Sequence, residues 1–143
     1  MKKVLLIVAI LATIVRADFV RSAAGVVTDT ITGLEWQDNY NDNGDTIKSA
    51  KWTDAIAYCE ASTLDGTGWR LPNLNELSLI VDRTKAEPTI STVFTKTNNN
   101  IFWSATTYQV TPATKAWSVS FSMGDSDYVL KTDDSKYIRC VRG

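Results

Sequence analysis

The pattern of hydrophobic positions predicts two helices in the middle of the chain. The apolar residues of the first fall at i, i+3, i+4 and i+7, one face of an α-helix: Trp52, Ala55, Ile56 and Cys59. The second is predicted to begin after Asn73, because asparagine is a favoured N-cap and Glu76 follows at the spacing of a capping box. Its apolar face is formed by Leu74, Leu77 and Val81.

Patterns typical of strands lie on both sides of the predicted helices. Residues 24–37 contain two extended segments around Gly33, which predicts strand, turn and strand. Near the other end, Trp117, Val119 and Phe121 alternate with serines, so one face is expected to be buried and the other polar. Further short strands are predicted at 101–104, 128–130 and 137–141. The order β-β-α-α-β-β-β predicts a compact α+β domain with two helices and a mostly antiparallel sheet.

The first 17 residues are typical of a secretory signal peptide. Two lysines precede an apolar run from 4 to 15, and Val15-Arg16-Ala17 places Val and Ala at the −3 and −1 positions of a cleavage site. The run is shorter than the about 20 residues needed to cross a bilayer core, so we expect no stable membrane insertion after cleavage. An uncleaved anchor is the alternative. The predicted location is the periplasm, the extracellular space or the cell surface.

Charge and composition narrow the classes of function. Three of the 15 basic residues lie in 1–17, so the remaining 12 face 16 acidic residues and the mature chain carries a net charge near −4. The chain has no excess of basic residues of the kind that binds nucleic acid. Its negative net charge also opposes long-range attraction to sulfated polymers, unless lysines cluster on one face. The chain has no histidine, which removes His-based triads and His-ligated zinc, and we expect no enzyme activity.

The chain has two cysteines, Cys59 and Cys140. In an oxidising compartment the simplest interpretation is one disulfide. It would close a loop worth on the order of 4–5 kcal/mol in the chain-entropy treatment. A catalytic thiol or a metal site is the alternative.

Several distinctive motifs follow one another along the chain. They are Gly33-Leu34-Glu35-Trp36-Gln37, Gly68-Trp69-Arg70-Leu71-Pro72-Asn73, Phe102-Trp103-Ser104 and Tyr137-Ile138-Arg139-Cys140-Val141-Arg142-Gly143. Together they resemble the Lcl C-terminal domain family. The resemblance runs from about 27 to 143. With the signal peptide predicted at 1–17, it divides the chain into that peptide, an N-terminal lead-in at 18–26 and the domain at 27–143.

The resemblance implies an exported bacterial protein of a kind often appended to larger surface proteins. The member that gives the family its name is an adhesin whose domain is associated with binding sulfated glycosaminoglycans. The family is similar to the C-type lectin-like fold, in which a cysteine of the first helix pairs with one in the last strand, as Cys59 and Cys140 would. The Glu-Pro-Asn and Trp-Asn-Asp motifs of calcium-dependent lectins are absent, and Glu87-Pro88-Thr89 is the nearest string.

Candidate ligand-binding residues lie around the predicted strand at 101–104. An exposed Trp103 beside Asn98, Asn99 and Asn100 would suit a sugar platform, and Tyr108 and Lys115 complete the candidate set. A buried Trp103 is nevertheless the preferred interpretation of that residue. The four other tryptophans are expected in the core: Trp36, Trp52, Trp69 and Trp117.

No cofactor is expected, and calcium is the one metal with candidate ligands. The polar run at 38–45 has the rhythm of a calcium loop without its closing glutamate, so a solvated loop is the preferred interpretation. Weak candidate ligands are Asp42, Asp45, Asp125 and Asp127. The motif arginines Arg70, Arg139 and Arg142 are interpreted as ties between elements, with sulfate or carboxylate recognition as the alternative.

These observations predict an exported, non-catalytic binding module that recognises a glycan or a surface protein. The alternative is a structural or self-assembling component of a cell-surface adhesin or fibre. An oligomer is compatible with either.

Overall fold

The computed structural model describes residues 18–143. The predicted signal peptide therefore lies outside the described residues. Ten elements follow one another along the chain: β1 (Phe19–Arg21), β2 (Val26–Asp29), β3 (Glu35–Gln37), a 3₁₀ turn (Asn41–Asn43), α1 (Trp52–Glu60), α2 (Leu74–Leu79), β4 (Ile101–Thr107), β5 (Lys115–Ser120), β6 (Ser126–Leu130) and β7 (Val141–Arg142). The predicted α+β class is confirmed, and the strands form two antiparallel sheets instead of one.

The first sheet has the strand order β1-β2-β3-β7. The segment predicted as a lead-in contributes a strand of its own, since Phe19 pairs with Asp29 and Arg21 with Val27. Phe19 also packs edge-on against Phe94, with ring centres 5.5 Å apart. Residues 19–21 are thus part of the folded domain. A hydrophobic pattern of only three residues is too short to predict such a strand.

The last strand is shorter than predicted because its segment crosses between the two sheets. Tyr137 donates its amide to the carbonyl of Ile101 in β4, whereas Val141 pairs with Trp36 in β3. Between these points the backbone joins both sheets, so 137–141 does not form one continuous ladder.

The second sheet, β4-β5-β6, lies between the two helices. Phe102 packs in a core cluster with Leu77 of α2, and its neighbour Trp103 packs in another cluster with Ala55 of α1. Successive residues of a strand point to opposite faces, so both faces of this sheet are covered here. This explains why Ser118, expected on a polar face, is buried, and its hydroxyl donates to the carbonyl of Asp127.

Both predicted helices are confirmed. α1 buries Ala55 and Cys59 of its predicted apolar face. α2 has the complete capping box: the Asn73 side chain accepts from the amide of Glu76, and the Glu76 carboxylate accepts from the amide of Asn73. No helix within residues 18–143 is long and apolar enough to cross a membrane.

The structure contains the disulfide between Cys59 of α1 and Cys140, just before β7. Their Cα atoms are 5.4 Å apart and both residues are fully buried. The bond joins positions 81 residues apart, so it fixes the first helix to the end of the chain.

Asp38, predicted in a solvated loop, is fully buried. Its carboxylate accepts hydrogen bonds from the Thr95 amide and hydroxyl, the Lys96 amide and the Arg21 guanidinium, and it faces Arg139 at 3.3 Å. Burial raises the pKa of Asp38, but the charge of Arg139 and these hydrogen bonds outweigh it and hold the pKa below its usual value. The carboxylate is therefore an ionised anchor between β3 and the loop at 95–96.

Arg139 is the buried partner of Asp38. Its guanidinium also donates to the backbone carbonyls of Gln37 and Lys96 and lies 4.8 Å from the ring centre of Phe94. These contacts surround the charge with oxygen acceptors and an aromatic face. Arg139 is therefore a structural tie and not a surface group for sulfate.

The two other motif arginines also tie elements together. Arg70 forms a bidentate pair with Glu76 of α2, at 2.8 and 2.6 Å. Arg142 pairs with Glu35 of β3 and donates to the carbonyl of Asp65. The interpretation of all three arginines as ties is confirmed.

Candidate functional site

An aromatic patch lies on one face of the second sheet, formed by Tyr108, Trp117, Tyr128 and the lysine Lys115. Strand register creates it. Trp117 pairs with Tyr128 across β5 and β6, and Lys115 pairs with Leu130. Residues two apart on a strand share a face, so Lys115, Trp117, Tyr128 and Leu130 lie on the same side of the sheet.

Tyr108 joins the patch from the end of β4. Its amide donates to the carbonyl of Lys115 at 3.0 Å, which continues the pairing of β4 with β5 beyond Thr107. The Tyr108 ring stacks on Tyr128 with centres 4.1 Å apart and planes 15° apart. Both tyrosines stand nearly perpendicular to Trp117, at 5.5 and 5.6 Å.

The aromatic patch is open to solvent. Tyr128 is 38% exposed and Leu130 is 52% exposed, whereas Tyr108, Lys115 and Trp117 are half-buried. The Lys115 ammonium lies over the Tyr128 ring, 4.8 Å from its centre. Aromatic rings and an aliphatic chain therefore meet water here together with one cationic hydrogen-bond donor.

A shallow pocket of about 370 Å³ adjoins the aromatic patch. It is lined by Lys115, Tyr128, Val129, Leu130, Thr132 and Asp133. Hydrogen bonds from the Ser135 hydroxyl and amide and from Lys136 lower the pKa of Asp133 to about 2. The carboxylate is thus charged at neutral pH, and the pocket offers a ring, a donor and an acceptor.

A second concavity, the polar groove, has a volume of about 560 Å³. It is lined by residues 43, 45–49, 95–98 and 137. Asp45 and Lys96 form an ion pair at 2.5 Å there, and Lys48 and Asn98 also border it. Its walls are mainly amide, hydroxyl and charged groups, without a cluster of rings.

The structure does not bring the predicted ligand-binding residues together. Asn98, Asn99 and Asn100 precede β4 and Tyr108 follows it, so the two groups lie at opposite ends of a seven-residue strand, roughly 20 Å apart. Asn98 accepts from the amide of Asn100 within this turn, where Asn99 and Asn100 are exposed. Tyr108 and Lys115 belong to the aromatic patch, and Asn98 belongs to the polar groove.

Trp103 is not an exposed platform, and the preferred interpretation of it as a core residue is confirmed. The residue is fully buried in the cluster with Ala55 and Cys59, and its indole N–H donates to the carbonyl of Ala50 at 2.9 Å. Both faces of β4 are covered at this point, which leaves a ligand no access to the ring.

Two residues of the aromatic patch were missed from the sequence. The sequence places Trp117 in the core because it shares a predicted buried face with Val119 and Phe121, and it places Tyr128 only in a returning strand. The connection at 121–125 makes β5 and β6 a hairpin that places Trp117 opposite Tyr128, and that hairpin was the signal that could have joined them.

The weak calcium candidates lie in separate places. Asp45 pairs with Lys96, and Asp42 accepts from the Tyr58 hydroxyl at 3.2 Å. Asp127 accepts from the amide of Tyr128, and Asp125 is exposed in the preceding turn. From residue 18 onward, no group of three acidic or cysteine side chains is placed to hold a metal ion.

Comparison with known proteins bears on the identity of the whole domain. No curated protein matches the chain. The family model described as the Lcl C-terminal domain matches residues 25–142, from β2 to β7. The match covers the second sheet, both helices, the aromatic patch and three of the four strands of the first sheet, and it begins after β1. The chain belongs to the Lcl C-terminal domain family.

Proposed function

We propose that this protein is an exported, non-catalytic module that binds a glycan through the aromatic patch. The observation that carries the proposal is the cluster of three solvent-accessible rings, the exposed Tyr128 and the half-buried Tyr108 and Trp117, on the sheet face that α2 covers elsewhere. Exposed clusters of large apolar side chains mark interaction surfaces, because burying them from water is otherwise favourable.

The chemistry of the aromatic patch suits a sugar. A pyranose ring has an apolar face of C–H groups and a rim of hydroxyls. Aromatic rings match the apolar face, while a few convergent polar groups orient the hydroxyls. Lys115, Thr132 and Asp133 stand beside Tyr128 and supply such groups.

A non-catalytic role is supported by the absence of histidine and by the ion pairs that occupy two of the more buried carboxylates. The chain has no histidine. Glu76 is held by Arg70 and by the amide of Asn73, and the Arg70 hydrogen bonds lower its pKa. Asp38 is committed to Arg139. These carboxylates maintain the fold and are unsuited to proton transfer near neutral pH.

Export is supported by the signal-like segment at 1–17 and by the Cys59–Cys140 bond, since such bonds persist in oxidising compartments. We also propose that the domain has the C-type lectin-like fold that the family resemblance implies.

Self-assembly by strand addition, the other candidate, receives less support. β6 is an edge strand of the second sheet. The amide of Tyr128 is occupied by the Asp127 carboxylate at 2.7 Å, and a charge on an edge strand opposes pairing with another strand.

A glycan array tests the proposal. The disulfide-bonded protein lacking residues 1–17 is applied with two variants, Tyr108→Ala and the control Leu79→Ala, which alters an exposed apolar residue of α2. We expect specific binding by the unaltered protein and by the control, and loss of signal with Tyr108→Ala. Absence of any glycan signal, or equal signals from the three proteins, would contradict the proposal.

A further inference from the structure

We infer that the shallow pocket beside the aromatic patch takes a neutral sugar ring, with Tyr128 against its apolar face, Lys115 donating and Asp133 accepting hydrogen bonds. The inference rests on the proposed function and names the ligand class and the residues that select it.

The shape of the pocket supports one sugar residue as its occupant. Its volume of about 370 Å³ lies at the lower end of the range for small-molecule sites. Tyr128 and Leu130, both exposed and two residues apart on β6, form its apolar wall. Because β6 is an edge strand, the pocket opens to one side and a longer chain can extend out of it.

Lys115 has one position in the free protein and another when a sugar is bound. Without ligand its ammonium lies over the Tyr128 ring, and such contacts are weak at exposed sites. A sugar that stacks on the ring can displace the ammonium. The displaced group stays tethered at the rim, where it can donate to a hydroxyl of the same sugar.

Asp133 has acceptor capacity left. Its carboxylate accepts from the Ser135 amide and hydroxyl and pairs with Lys136 at 2.9 Å. A carboxylate has about four lone-pair positions, so one remains. These bonds also fix the carboxylate, which reduces the ordering cost of binding.

The balance of charge selects a neutral ligand. Lys136 is matched by its ion pair with Asp133, and the exposed Asp134, the next residue in the chain, carries the charge opposite to that of Lys115. An acidic sugar gains little net attraction and meets the fixed Asp133 carboxylate. A neutral sugar can use Lys115 and Asp133 together as donor and acceptor on neighbouring hydroxyls.

Isothermal titration separates this inference from the proposed function. The probes are neutral tetrasaccharides of glucose, galactose, mannose and N-acetylglucosamine, with tetragalacturonate as the acidic probe. We expect at least one neutral probe to bind about tenfold more tightly than tetragalacturonate, equivalent to about 1.4 kcal/mol.

Variants identify the pocket. Tyr128→Ala and Lys115→Met are each expected to weaken binding of the neutral probe by about tenfold. Tyr128→Phe retains the ring and should stay within about threefold, and Lys85→Met, at an exposed lysine elsewhere, should have no effect. Tighter binding of tetragalacturonate, or unchanged binding by Tyr128→Ala or Lys115→Met, would overturn the inference while leaving glycan binding intact. Failure of every tetrasaccharide and of the array would instead remove the proposed function.

Discussion

The burial of Asp38 depends on residues that are distant in the sequence. It stands at the start of a run of polar residues, where a solvated loop is the natural expectation. Its partners Thr95, Lys96 and Arg139 lie 57 to 101 positions away. No local pattern marks a carboxylate whose partners are so distant, so its burial could not be predicted.

Replacing Asp38 with Asn should be strongly destabilising. The variant leaves the fully buried Arg139 without its counter-charge and gives the amides of Thr95 and Lys96 a poorer partner. Removing one partner of a buried pair costs about 3–5 kcal/mol. Urea denaturation measures the loss, with the exposed Asp42→Asn as the control from the same loop. Similar stability of the two variants would show that the pair contributes little.

The same pair should make the protein sensitive to acid. The pKa of Asp38 is lowered in the folded state, so its contribution is present above the unfolded value of about 3.9 and is lost as pH falls through the folded value. We expect the difference in unfolding free energy between the unaltered protein and Asp38→Asn to shrink between about pH 4 and pH 2. Denaturant titrations at several pH values give this difference; a constant value would contradict the assignment.

The tryptophans mark another limit at the residue scale. Trp36 and Trp69 are buried as expected, whereas Trp52 and Trp117 are half-buried. Alternation shows which face of a strand a residue occupies. It does not show how far a helix extends across that face, and this extent decides whether Trp117 meets the core or the solvent.

Among the elements, the helices were the most predictable. Their signals are local: a 3.6-residue apolar period for α1 and the spacing of Asn73 and Glu76 for α2. The strands depend on distant partners. β1 and the crossing segment 137–141 differ from expectation for that reason.

The capping box of α2 should contribute measurably to stability. Asn73→Ala removes the acceptor for the amide of Glu76 and is expected to cost about 1 kcal/mol. The matched control is Asn75→Ala, at an exposed position inside the same helix, which should be neutral or slightly stabilising because alanine is the better helix former. Equal midpoints of thermal unfolding for the two variants would argue against the cap.

At the scale of the molecule, the disulfide joins α1 to the residue just before β7, the last strand of the domain. The pairing was expected from export, cysteine number and family resemblance, and the structure contains it. The fourth strand of the first sheet follows immediately, so the bond also holds β7 near β3.

Breaking this bond should be costly, by about 4–5 kcal/mol in the chain-entropy treatment. Cys59→Ser and Cys140→Ser should each destabilise strongly, and the double variant should be scarcely worse than either, because all three lose the same bond. Urea denaturation provides the comparison. Additive losses, or two titratable thiols in freshly exported and denatured protein, would be incompatible with the bond.

The central claim is that the aromatic patch is the surface that contacts glycan. The most direct test is an ¹H–¹⁵N NMR titration of the protein with a glycan identified on the array. We expect the largest shifts at the amides of Tyr108, Lys115, Trp117 and Tyr128 and at the Trp117 indole, with little change at Lys48, Asn98 and Tyr137 of the polar groove. Shifts concentrated in the polar groove, with the aromatic patch unchanged, would contradict the account.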